Sequence, residues 1–122
     1  MSKAQKLISG IFALVFALAI APTASFAATN YDLSVNGEQF TSEKLTIQCG
    51  EGTATYDPAT QNLTLDNASI ANAVDYGGID SELTSDLTIT LQGSNQITFN
   101  DNMGIKATGS VIFRGPGSLA IS

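Results

Sequence analysis

Two stretches of this chain say nearly the same thing. Residues 87–98 read LTITLQGSNQIT, and residues 111–122 read VIFRGPGSLAIS. Each is an alternating apolar run, a glycine-containing turn and a second alternating run. A third copy begins at Leu63-Thr64-Leu65, so Leu63, Leu87 and Val111 follow one another in steps of 24 residues, while Gly78-Ile79 and Gly104-Ile105 lie 26 apart. A repeat of about 20 to 30 residues, holding two or three short strands and the turns between them, predicts a solenoid in which each repeat is one coil. Period-two alternation puts Leu63, Leu65, Leu87, Ile89, Leu91, Val111 and Phe113 on one inward face. Thr64 and Thr88 then fall at equivalent outward positions. Beyond residue 27 no stretch carries helical periodicity, so the expectation is an all-β chain whose equivalent strands stack in parallel at ~4.8 Å.

The N-terminus obeys a different logic. MSKAQK supplies Lys3 and Lys6, and residues 7–21 (LISGIFALVFALAIA) are uncharged and mostly apolar. PTASFA then places Ser25 and Ala27 before a cut. This reads as a signal peptide, 1–27, and its apolar run is short of the roughly 20 residues that a membrane-spanning helix needs. The expected location is secreted or extracellular, including the cell surface, with no membrane segment after cleavage.

What remains is one small domain, 28–122. Its basic residues are Lys44, Lys106 and Arg114 against all 11 acidic ones, a net charge of −8. Nucleic acid is excluded as a partner, because its phosphates demand a basic patch. There is no His, which removes imidazole metal sites and His-based catalysis. Cys49 is the only cysteine, so no internal disulfide exists, and its alternation with Leu45 and Ile47 predicts a small buried residue. Residues 28–62 read as N-terminal strands and a cap. Asn36-Gly37 signals a hairpin, and Asp57-Pro58-Ala59-Thr60 a turn. Residues 63–122 read as the coils. They look incomplete at the C-terminus, since SLAIS is another strand with no polar capping repeat, so the expectation is either the N-terminal portion of a longer protein or a chain that associates end to end with another copy.

Candidate chemistry is sparse. The acidic cluster Asp75, Asp80, Glu82 and Asp86 is joined one repeat later by Asp101, and within it Asp75, Asp80, Glu82 and Asp101 are the candidate metal ligands, with calcium the candidate cofactor because it takes oxygen donors from adjacent loops. Asp80 and Lys106 each follow a repeat glycine by two residues, so stacked coils make them neighbours. Tyr76, within DYGG, is the candidate sugar-stacking ring, whereas Tyr56 is expected to pack inward. The outward threonines Thr64 and Thr88, with Thr90 following, form a candidate hydroxyl array, although threonine on an outer strand face also reflects plain strand propensity. For a lyase, only Arg114 and Lys106 are at hand as bases, and no carboxylate pair is spaced for glycoside hydrolysis.

YDPATQNLTLDNASI, then GID with DLTITLQGSNQIT, then GIKATGSVIFRGPGSLAIS resemble the repeats of a family of secreted bacterial β-helix proteins known as carbohydrate-binding domain proteins. The resemblance implies a right-handed parallel β-helix of the pectate-lyase type. It also implies a non-catalytic function: binding of a polysaccharide or cell-surface glycan, assisted by calcium. A structural or adhesive repeat of a surface protein is the alternative, and a lyase-like enzyme a more distant one.

Mass spectrometry of exported protein is expected to find Ala28 as the first residue. Intact Met1–Ser122 in a membrane fraction would show an uncleaved anchor instead.

Overall fold

The computed structural model describes residues 27–72, 77–99 and 103–122. The expected signal peptide, except for Ala27, lies outside them, as do Asp75, Tyr76 and Asp101. The described residues form strands and turns and no helix. The chain is all-β, as its alternation predicts.

The strands are β1 (Asn30–Val35), β2 (Glu38–Thr41), β3 (Thr46–Cys49), β4 (Gly52–Asp57), β5 (Asn62–Asp66) and β6 (Ser69–Ile70). They continue as β7 (Gly77–Ser81), β8 (Leu87–Gln92), β9 (Ser94–Ile97), β10 (Met103–Ala107), β11 (Val111–Arg114) and β12 (Ser118–Ile121). Three sheets collect them. The first has the order β11-β8-β5-β4-β3, the second β12-β9-β6 and the third β10-β7-β1-β2. From β5 onward the chain visits first, second and third sheet in rotation. Each strand pairs in parallel with the strand three places later, as β5 with β8 and β8 with β11.

The N-terminal strands run against this pattern. β3–β4, β4–β5, β1–β2 and β1–β7 are all antiparallel, so the first and third sheets are mixed. A wholly parallel stack is therefore not what the described residues form. Local chemistry explains the hairpins. Asn36 and Gly37 both take positive φ (53° and 82°), the conformation of a tight β1–β2 turn that only such residues enter cheaply. At the β4–β5 turn the Asp57 carboxylate accepts a hydrogen bond from the Ala59 amide at 3.0 Å.

One expected register needs correction. Val111 pairs with Leu87, a step of 24, but Leu63 pairs with Ile89, a step of 26. Thr64 accordingly lies beside Thr90, and Thr88 beside Asn62. The two registers differ by two residues and so bury the same faces, which is why alternation cannot tell them apart. A corner decides the matter. Asn67, at φ 51°, sits between Gly52 and Gly93. A Cβ on Gly52 would fall 2.0 Å from the Asn67 carbonyl oxygen, and one on Gly93 2.2 Å from Asn67 Oδ1. Only the 26-residue step sets Asn67 against a residue with no side chain. Leu91 would occupy that place under a step of 24.

The core follows the parity prediction. Leu63, Leu65, Leu87, Ile89 and Leu91 are buried together with Leu33, Val35, Phe40, Ile47, Ile70, Ile79 and Ile97. Val111 is half-buried, and Phe113, expected inward, is 49 % exposed because nothing lies beyond the last strands in the described residues. Buried Asn95 ties the layers together. Its Oδ1 accepts from the Ala68 amide at 2.7 Å, and its Nδ2 donates to the carbonyls of Gln92 and Ser118 at 3.1 and 3.2 Å.

Urea melts of three variants test this account. Ile89→Asp is expected to unfold the chain, because lost apolar burial and a buried carboxylate together cost more than ~4 kcal/mol. Asn95→Leu leaves a buried amide unpaired and is expected to lose about 1–3 kcal/mol. Thr88→Asp, on the outward face, is expected to stay within about 0.5 kcal/mol of the parent. A Thr88→Asp variant less stable than the other two would overturn the assignment of faces.

Candidate functional site

The outer face of the first sheet is polar, and its register lines the side chains into rows. Thr46 pairs with Thr55, Thr55 with Thr64, Thr64 with Thr90, and Thr90 with Arg114. Four threonines and an arginine thus cross five strands in one row, at the strand spacing of ~4.8 Å. A neighbouring row holds Asp57, Asn62, Thr88 and Ile112. Hydrogen bonds fix several of these groups. Thr90 Oγ1 donates to Asn62 Oδ1 at 2.8 Å, Asn62 Nδ2 donates to Thr64 Oγ1 at 3.0 Å, and the Thr46 and Thr55 hydroxyls lie 3.4 Å apart. The two predicted threonines share this face in adjacent rows. Thr46 and Thr55, which the repeat did not mark, extend the array because the antiparallel strands β3 and β4 prolong the sheet.

The third sheet carries a different arrangement. Ser34 lies opposite both Gln39 and Asp80, and Asp80 opposite Lys106, giving a polar row across all four strands. Beside it opens a pocket of about 100 Å3 lined by Asn30, Asp32, Leu33, Ser34, Gln39, Asp80 and Glu82. Typical small-molecule sites span roughly 300–1,000 Å3, so this space suits an ion or a few waters rather than a sugar ring. Asp80 is 5 % exposed, and its Oδ1 accepts no hydrogen bond although Lys106 Nζ lies 4.0 Å away. The predicted Asp80–Lys106 proximity is present, but as a pair with a buried carboxylate rather than a solvated one.

Of the four expected metal ligands, Asp80 and Glu82 line this pocket together, whereas Asp75 and Asp101 lie outside the described residues. The sequence did not mark Asp32. It reaches the pocket because β1 pairs antiparallel with β7, where Leu33 meets Ser81 and Val35 meets Ile79. The β1–β2 register shifts between Asn30 and Ser34, and Asp32 there takes φ 58° while its amide donates to Asn30 Oδ1 at 2.7 Å. The Glu82 amide in turn donates to the Asp32 carbonyl at 2.9 Å. No group of three His, Cys, Asp or Glu side chains among the described residues comes close enough to hold a metal jointly.

Other candidates resolve as packing. Tyr56 is buried, its ring 5.6 Å from Phe40 and 5.8 Å from Tyr31, so it belongs to a core cluster and offers no platform for a sugar. Tyr76 lies outside the described residues. Arg114 stands on the first sheet and Lys106 on the third, so the two bases considered for a lyase are on different faces. Compared with protein-family models, with curated proteins and with solved structures, the chain matches none.

Cys49 is buried, and that burial, helped by the nearby Glu38 charge, pushes its thiol up from 9.0 to about 11. The native thiol therefore holds its proton more tightly than the unfolded one. Its contribution to stability is complete below pH 9 and is lost as pH rises towards 11. Denaturant midpoints are expected to fall across that window, less so in Cys49→Ala. A thiol reagent at pH 8 is expected to label the protein only after unfolding; immediate labelling of the native chain would refute the buried placement.

Proposed function

We propose that this chain is a secreted or cell-surface carbohydrate-binding module that holds a polysaccharide or surface glycan without turning it over. The observation that carries the reading is the row Thr46–Thr55–Thr64–Thr90–Arg114 across the outer face of one sheet, flanked by Asn62 and Thr88. Hydroxyl and amide groups at regular strand spacing match the repeating hydroxyls of a polysaccharide lying across the strands. The internal bonds from Asn62 hold part of the array in place before binding, which lowers the ordering cost of association. The amino-terminal export signal and the acidic, His-free composition fit the same role. Tyr76 remains the candidate stacking ring.

The scaffold behind this face is read as a short right-handed parallel β-helix of strands β5–β12, with β1–β4 as its N-terminal cap. The rotation of the chain through three sheets and the parallel pairing of every third strand support that reading. So does the resemblance of the repeats to secreted carbohydrate-binding β-helix proteins.

A second reading, a structural or adhesive segment that self-associates end to end, rests on one observation. An apolar groove of about 340 Å3, lined by Leu91, Phe113, Gly117, Ser118, Leu119 and Ile121, lies at the β11–β12 end. Phe113 and Ile121 there are 49 % and 47 % exposed.

Pull-down on a panel of insoluble polysaccharides separates the two. The binding module is expected to be retained, and Thr64→Val with Thr90→Val is expected to abolish retention while the chain stays folded with a lowered melting temperature, since valine keeps the shape but removes the hydroxyls and their bonds to Asn62. No retention on any polymer, with concentration-dependent association in solution, would favour the adhesive segment. Release of soluble sugar would favour a lyase.

A further inference from the structure

We propose that the pocket beneath the β1 bulge binds a hydrated, hard divalent cation through Asp80, Asp32 and Glu82. The inference goes beyond the function proposed above: Asp80 and Glu82 are candidate ligands in the sequence, and the structure brings Asp32, which the sequence did not mark, to the same pocket.

The argument starts from Asp80. A carboxylate withdrawn from water is costly unless it is paired and hydrogen-bonded. Asp80 is 5 % exposed and its Oδ1 accepts no hydrogen bond. Lys106 Nζ, at 4.0 Å, is an ion-pair neighbour beyond hydrogen-bonding reach. That lysine offsets one charge, yet Asp32 and Glu82 line the same space. Three formal negative charges against one positive leave −2, the complement of a divalent ion.

The neutral lining is suited to the same guest. Gln39 spends its Nε2 donors on the carbonyls of Leu33 and Phe40, at 2.9 and 3.2 Å, which leaves the amide oxygen as its remaining polar atom. Ser34 and Asn30 add a hydroxyl and an amide. All are oxygen donors, the ligand type that calcium and magnesium prefer. The carboxylates are not gathered tightly enough for three to coordinate directly. The pocket volume of about 100 Å3 therefore has a use, since it admits an ion with part of its water shell. Asp80 then takes the inner position, and Asp32 and Glu82 act through water.

The backbone supports this division. Asp32 is held at φ 58°, a conformation that Asp and Asn tolerate best among residues with side chains. Asp32→Asn thus removes the charge without disturbing the bulge, and Glu82→Gln alters an exposed side chain. Both variants remain informative even if Asp80→Asn fails to fold.

Thermal melts of chelator-treated protein, with no polysaccharide present, provide the test. Calcium chloride at about a hundred times its Kd is expected to raise the melting temperature by roughly 10 °C. Magnesium chloride run in parallel distinguishes the preferred ion, and sodium chloride at matched ionic strength is expected to do nothing. Asp32→Asn and Glu82→Gln are each expected to weaken the ion's affinity about ten-fold or more, and Asp80→Asn to abolish the response. No rise with either divalent ion would overturn the site, as would an equal rise with sodium or an undiminished affinity in the Asp32 and Glu82 variants. Because the readout needs no sugar, its failure leaves polysaccharide retention untouched, and loss of retention leaves this site standing.

Discussion

Three layers of the chain meet at one buried amide. Asn95 is 3 % exposed, and its side chain bonds Ala68 in the layer before, Gln92 in its own and Ser118 in the layer after. The chain turns here from the first sheet into the second, where a ladder breaks and backbone groups lose their strand partners. The Ala68 amide is buried and needs an acceptor there, and a side chain with both an acceptor and two donors can bond it and the two carbonyls together. Asparagine has that inventory, and leucine of similar size has none of it. The amide makes the corner a specific joint, because it bonds only layers stacked in the observed order.

Everything placed on the outer surfaces depends on that stacking. The Asn67 corner, wedged between Gly52 and Gly93, fixes β5 against β8 at 26 residues, whereas β8 and β11 meet at 24. Thr64 falls beside Thr90 for this reason, and the row runs unbroken from Thr46 to Arg114. Under a uniform step of 24, Thr64 would have faced Thr88, and Thr90 would have faced Asp66. The hydrogen bonds from Asn62 to Thr64 and from Thr90 to Asn62 belong to the observed register.

Much of this was legible in the residues. Alternation gave the strands and the buried face; Asn36-Gly37 gave a hairpin and Asp57-Pro58 a turn; the repeat glycines gave the adjacency of Asp80 and Lys106. Those signals are local, or repeat at a fixed distance. The antiparallel pairing of β1 with β7 is neither. Val35 meets Ile79 across 44 positions with no periodic mark. Asp32 and Gln39 could therefore not be tied to Asp80 beforehand, although they line the same pocket. The register error had a separate cause, since a shift of two residues preserves every inward side chain and only the glycines at the corner penalise it.

The two ends of the stack are physically unlike. At one, the antiparallel strands β1–β4 fold over the first layer and bury Phe40, Tyr56, Ile47 and Cys49 there. At the other, Phe113 and Ile121 lie half in water beside strand edges with no partner among the described residues. The covered end carries Glu38, Glu43 and Glu51, whereas the only charged side chains on the open-edge strands β10–β12 are Lys106 and Arg114. Lys106 is turned towards Asp80, and Arg114 completes the threonine row. Two of the three basic residues beyond residue 27 thus sit where the third and first sheets each present their polar rows, and the third, Lys44, is paired with Glu38 at the covered end. Because those rows lie on separate sheets, the ion pocket and the hydroxyl face can be altered independently, and any coupling between them must pass through the shared apolar core.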